Sequence, residues 1–220
     1  MTSASLAACG SGATGATGEH ARQLSKAELE RATVTATDLD GYEVQRDLAS
    51  TSASHKTADP SSCAPAMQAV GGSSGFAATA RTARIVFSKK HGPSAHLTLS
   101  SHSPQDAERV IDALRTAAER CKTFKDVQVD FDYDGVQVRS GPGYGDESVS
   151  LRLTQLVAGG ADEESVRVPY AVVAVRQGAT VAMFTTFNRP KGQQAADPAV
   201  VPDAVVRAQL TKLRKLTASE

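Results

Sequence analysis

The chain has 220 residues, 40% hydrophobic and 22% charged, with 24 basic side chains against 24 acidic ones. That length fills one well-packed domain rather than two large ones, and the even balance removes the bulk field that would draw the protein to nucleic acid or to an anionic membrane face. Tryptophan is absent and aromatics make up 5%, which leaves few stacking platforms for single strands, and no apolar run reaches the length of about 18 residues that a membrane-spanning helix needs. No nucleic-acid partner is expected, and the protein is expected to be a monomer.

Three cysteines are an odd number for an exported chain and ask for a separate fate for one of them. Leu6-Ala7-Ala8-Cys9-Gly10 resembles a bacterial lipobox, in which the cysteine carries diacylglycerol, and Gly10 to Gly18 reads as a flexible tether. Cys9 is therefore the expected lipidation site, and residues 1–24 the remnant of a signal and tether. Met1 to Ser5 supplies neither the basic nor the apolar part of a leader, so the true start is expected upstream or the leader trimmed.

Ser25 with Glu28 three residues later spells a capping box, and Ala27, Leu29, Ala32 and Val34 have helical spacing. A turn at Thr37 to Gly41 leads into a strand at Tyr42 to Gln45. Ala49 to Ser62 lacks periodicity and is expected to be a mobile loop, followed by a short helix from Cys63 to Val70 that Gly71-Gly72 ends. Ala83, Ile85 and Phe87, then Leu97 and Leu99, alternate as a hairpin. Ser103 caps the longest predicted helix. Its stripe of Ala107, Val110, Ile111, Leu114, Ala117, Ala118 and Cys121 points inward, with Pro104 at the first helical position. Cys121 is thus expected in the core, as a buried thiol or bonded to another cysteine, and a bond to Cys63 is the expectation.

Beyond Phe124, Val127, Val129, Phe131 and Tyr133 share a parity, and Val149, Leu151 and Leu153 mark a half-buried strand. Val166 to Val175 and Thr180 to Phe187 form a hairpin across Gln177-Gly178, with Pro169 predicting an edge or bulge. Asp203 caps a last helix through Val206, Leu210, Leu213 and Leu216. The order predicts a single α+β domain over residues 25–217: an antiparallel sheet with helices packed mainly on one face and one internal disulfide.

Several stretches taken together resemble the extracellular PknH-like sensor domains and related lipoproteins of actinobacteria. They are Ala36 to Tyr42, Asp59-Pro60 before Cys63, Cys121 with Phe124 after an Ala-rich helix, Gly145 to Ser148, and Val173-x-Val175-x-x-Gly178-x-x-Val181-Ala182-x-Phe184. The likeness runs from about Ser25 to Leu216. It implies an extracytoplasmic domain with an antiparallel sheet and a groove suited to a ligand. Kinase-linked members carry two disulfides and this chain can make one, so fold, location and the Cys63 to Cys121 bond carry over, while direct signalling does not.

Weaker patterns carry little chemistry. Asp130-Phe131-Asp132-Tyr133-Asp134-Gly135 opens like a calcium loop, but its twelfth position is Gly141 where a bidentate Glu belongs. Gly71-Gly72-Ser73-Ser74-Gly75 matches a hydrolase string without the strand before it and the helix after it. His91, His96 and His102 are better read as exposed hairpin and loop residues than as zinc ligands. No metal site, cofactor or catalytic residue is expected. The expected role is non-enzymatic ligand binding on the outer face of the cell membrane, held by the lipid anchor, with a small molecule, glycan or protein as ligand. Tyr42, Tyr144 and Tyr170 are the candidate ligand contacts, because tyrosine joins an apolar body to a polar tip. A lipid or glycolipid carrier with an apolar cavity is the alternative, and a cell-wall hydrolase the third reading.

Overall fold

A computed structural model describes residues 22–48, 56–90, 92–140, 142–157, 165–190 and 196–217. The alternating segments pair into one nine-stranded antiparallel sheet. In chain order its strands are β1 (Tyr42–Arg46), β2 (Ala58–Asp59), β3 (Ala80–Ser88), β4 (Ala95–Ser101), β5 (Phe124–Asp126), β6 (Phe131–Arg139), β7 (Glu147–Val157), β8 (Val166–Gln177) and β9 (Thr180–Phe187). Across the sheet they run β1-β3-β4-β9-β8-β7-β6-β5-β2, which places the last strand of the chain between β4 and β8. The helices are α1 (Lys26–Ala32), α2 (Ala64–Val70), α3 (Pro104–Arg120) and α4 (Asp203–Thr217). The fold is a single α+β domain.

Neighbouring residues of a strand point to opposite faces, and β8 and β9 are apolar at both parities. Val172, Ala174, Val181 and Met183 pack with α2 and α3, whereas Val173, Val175, Ala182 and Phe184 pack with α1 and α4. The longest helix covers one face as the sequence predicts. The other face is also covered, so the helices divide two and two, because strands that are apolar on both sides need a layer on each.

Local chemistry places the helix starts. Ser103 Oγ accepts from the Asp106 amide at 3.1 Å with Pro104 in the first turn, and Ser25 with Glu28 forms the reciprocal capping box of α1. Cys121 caps the end of α3 and bonds to Cys63, just before α2, with Cα atoms 5.7 Å apart and a sequence separation of 58. The disulfide therefore ties the start of α2 to the end of α3 within the core that these helices share with the sheet.

The structure departs from the sequence reading where tertiary pairing outweighs local pattern. Part of the stretch expected to be a loop, Ala58–Asp59, pairs with β5 at the sheet edge, and Ser61–Cys63 forms a 3-10 turn after the cis Asp59-Pro60 bond. The parity run from Val127 to Tyr133 is broken by a turn. Asp126 takes the Gln128 amide on its side chain and the Asp130 amide on its carbonyl, Asp130 adopts φ 58°, and Val127 and Val129 stay about half exposed. Pro169 lies in an interior strand, not an edge strand. The β8–β9 ladder ends at Tyr170 and Phe187: beyond them the Pro169 carbonyl accepts from the Asn188 amide at 3.1 Å, but proline has no N–H to return the bond. At the hairpin tip Gln177 pairs with Thr180, so the two turn residues are Gly178 and Ala179.

Candidate functional site

α2 has only seven residues, and the sheet face that it shares with α3 continues past its end. The uncovered part of that face forms an open groove of about 740 Å³. Its wall is the end of α2: Thr185 Oγ1 donates to the Ala69 carbonyl at 3.1 Å, and Gly72, at φ +67°, lies so close to Thr98 that a Cβ would stand 2.8 Å from its Oγ1. Glycine permits both the turn and the approach.

The floor comes from side chains of one parity on adjacent strands. Val166, Val168 and Tyr170 of β8 lie beside Gln155 and Val157 of β7. Phe131 and Tyr133 of β6 and Phe187 of β9 complete it. Aromatic rings run across this floor: Phe124 stacks on Tyr133 with centroids 4.9 Å apart, Tyr133 meets Tyr170 edge-on at 6.4 Å, and Tyr170 stacks on Phe187 at 5.3 Å. Offset and edge contacts of this kind add stability beyond the buried area. Val129 at 50% exposure and Val166 at 42% stand at the rim.

One polar cluster interrupts the apolar floor. Gln155 Nε2 donates to the Tyr133 hydroxyl at 3.0 Å, and its Oε1 accepts from the Tyr170 hydroxyl at 3.3 Å. Burial pushes both phenols above the ordinary tyrosine value, with the nearby Arg189 charge pulling Tyr170 partly back, so both stay protonated at neutral pH. Around the rim, Lys56 pairs with the buried Asp126 at 3.3 Å, His96 Nδ1 stands 3.5 Å from Asp47 Oδ2, and the exposed Arg189 lays its guanidinium 5.5 Å from the Phe187 ring centre. No aspartate or glutamate lines the groove among the described residues.

Of the tyrosines expected at a groove, the structure brings only Tyr170 to it. Tyr144 is buried on the other face, where its hydroxyl donates to Asp203 and its ring lies under Arg207; burial and then the Asp203 contact push it up to about 12. Tyr42 packs against the core on that same face, which α1 and α4 cover. Tyr133, whose parity with Phe131 among alternating aspartates is legible in the sequence, is not among the expected ligand contacts, yet it sits beside Tyr170. Those aspartates meet cations on the sheet: Asp130 faces Lys125, and Asp134 takes both oxygens to Arg167 at 2.9 Å.

His102 is a correction to the expectation of exposure. It is fully buried, its Nδ1–H donating to the Ala77 carbonyl at 2.9 Å and its Nε2 accepting from Ser100 Oγ at 2.8 Å. The proton belongs on Nδ1 because a carbonyl can only accept. In the glycine-serine stretch, Gly71 ends α2 and the Ser73 hydroxyl donates to the Gln68 carbonyl at 3.1 Å. Cys9, the tether, His91 and Gly141 lie outside the described residues.

No protein-family model matches the chain, and no curated protein does. Among solved structures, the extracellular domain of PknH from Mycobacterium tuberculosis aligns with TM-score 0.52 over 90% of this chain and 99% of that one, at 11% sequence identity. The two share a fold. An ortholog of Rv0999 from Mycobacterium smegmatis aligns over 87% of this chain and 94% of its own with TM-score 0.38 and 12% identity. At 11% identity the likeness to the PknH domain is one of architecture, and the groove must be read from the residues of this chain.

Proposed function

We propose that this protein is a non-enzymatic, sensor-like domain outside the cytoplasmic membrane that takes a ligand in the groove past α2, with Cys9 as lipid anchor and residues 1–24 as signal remnant and tether. The groove carries this reading: an apolar floor with a few convergent polar groups is the usual form of a ligand site, and Val129 and Val166 at its rim are about half exposed. The location draws support from the buried Cys63–Cys121 bond, since disulfides persist in oxidising compartments, and from a fold shared with an extracellular domain. The polar groups of the floor engage one another, with Gln155 between two protonated phenols, an arrangement that suits holding a ligand on the apolar floor better than attacking it. Among the described residues, apolar side chains pack on both faces of the sheet and the groove past α2 is open to solvent, which favours a surface ligand site over the enclosed cavity of a carrier.

The test is the protein purified from its own membranes. Intact mass should show acyl mass on Cys9 and a gain of two hydrogens on reduction; an unmodified Cys9 would remove the anchor. In amide NMR spectra of the soluble domain, a cell-envelope extract should shift Gln155, Val168 and Tyr170, and Val168→Asp should abolish those shifts. Unmoved groove resonances would sink the binding reading.

A further inference from the structure

We infer that the ligand of this groove is a single-chain anionic amphiphile, with its alkyl chain along the valine floor and its carboxylate or phosphate at the Arg189 guanidinium. The inference rests on the groove being the ligand site. Its chemistry is aliphatic first: Val129, Val157, Val166 and Val168 line it together with the Phe187 ring. Of the floor's rings, Tyr133 is 2% exposed and stacked on Phe124, Tyr170 stacks on Phe187, and Phe187 lies under Arg189, while the Tyr133 and Tyr170 hydroxyls are both engaged with Gln155, so a sugar would find Phe131 as the one half-buried ring without a ring or cation partner among the described residues and few free partners for its hydroxyls. A methylene chain needs neither.

Charge selects the head group. The chain carries 24 acidic and 24 basic side chains, yet the described lining holds Lys56, His96 and Arg189 and no carboxylate. Lys56 is committed to the buried Asp126, and removing it would leave that carboxylate without its cation. Arg189 is different. It is exposed, it rests on the Phe187 ring at the groove, and among the described residues no carboxylate pairs with it. A guanidinium held over an aromatic face beside an apolar floor presents its fork to an anion whose tail lies on that floor. The volume of about 740 Å³ is within the usual range for sites that enclose a small molecule.

The experiment titrates the full chain, below micelle concentrations, with decanoate, dodecanoate, tetradecanoate, dodecanol and dodecyltrimethylammonium, read by calorimetry and by the groove amide shifts. Affinity should rise about fourfold per added methylene until the floor is covered. Dodecanoate should bind roughly two- to fivefold tighter than dodecanol, with the difference fading in salt, and dodecyltrimethylammonium weakest of all. Arg189→Gln, at an exposed position, should erase the difference between acid and alcohol and keep the chain-length series. Equal binding of acid and alcohol, or a preference that survives Arg189→Gln, overturns the head-group assignment. Binding to phosphatidylglycerol vesicles without binding of monomeric acid overturns the single-molecule ligand in favour of a membrane surface. If no amphiphile binds while the envelope extract still shifts the groove, the ligand class is wrong and the site stands; if the extract fails as well, the site falls with it.

Discussion

Val34 and Gln209 are 175 positions apart in sequence and joined in the interior: the Val34 amide donates to Gln209 Oε1 at 3.0 Å, and Gln209 Nε2 donates to the Ala32 carbonyl at 2.8 Å. One fully buried side chain of α4 thus satisfies a backbone donor and a backbone acceptor at the C-terminal end of α1. Gln209→Leu keeps the volume and strands both groups. It should cost about 2–4 kcal/mol, because each buried unpaired group costs about 1–3 kcal/mol. Urea unfolding should show a lower midpoint with the slope unchanged.

The Cys63–Cys121 bond closes a loop with a sequence separation of 58, for which chain entropy predicts a stabilisation of about 4 kcal/mol. Cys63→Ala with Cys121→Ala should lower stability by about that amount. Both sulfurs are buried, so reductant should act on the native protein far more slowly than on protein held in urea. Rapid reduction without denaturant would contradict this placement.

Glycines 41 and 145 share a left-handed backbone and differ in surroundings. At Gly41, φ +79°, an added Cβ meets nothing within 4 Å, whereas at Gly145, φ +59°, it would strike the Arg176 carbonyl oxygen and come within 2.7 Å of Val175 Cγ1. Gly41→Ala should cost about 1 kcal/mol from backbone strain alone. Gly145→Ala should cost about 3 kcal/mol or more, since the loop must also lift off β8. Thermal unfolding of the two variants side by side tests the contrast.

Burial holds the His102 imidazole below its ordinary value of 6.5 and Arg81 adds to this, against the Ala77 carbonyl bond and the Asp106 charge, which pull upward. The native state therefore keeps it neutral while the unfolded chain takes up a proton. Stability should be level above about pH 6.5 and fall as the pH drops from there toward the lowered native value, by at most about 1.4 kcal/mol per pH unit for one proton. His102→Asn should flatten the change between pH 7.5 and 5. An equally steep loss in the variant would assign it to other groups.

The helices were legible because their signals are local: a capping serine, a proline in the first turn and a stripe at spacings of three and four lie within one segment of chain. The strands of the β3–β4 and β8–β9 hairpins were legible for the same reason. Two-residue β2 was not, since only the exposed edge of β5 makes it a strand. Val127 and Val129 misled because their parity agrees with Phe131 and Tyr133, while an aspartate side chain turns the chain between them. The groove was legible in part. Tyr170 could be chosen by residue type, but its partner Tyr133 and the amide of Gln155 meet only through strand register, and Arg189 joins them by stacking on Phe187. Register and the choice of face are decided by distant strands, which no short window of sequence contains.

The place of β9 between β4 and β8 has a consequence for the newborn chain. Ser100 of β4 meets Val181 of β9 across 81 positions, so a ribosome releases β4 with one flank bare long before its neighbour exists. Until then that flank is a template for any extended peptide nearby, and long-range closure of this sort is slow. A stop codon ahead of Thr180 would leave two half-sheets with no strand to bridge them, and their fate would be aggregation or degradation.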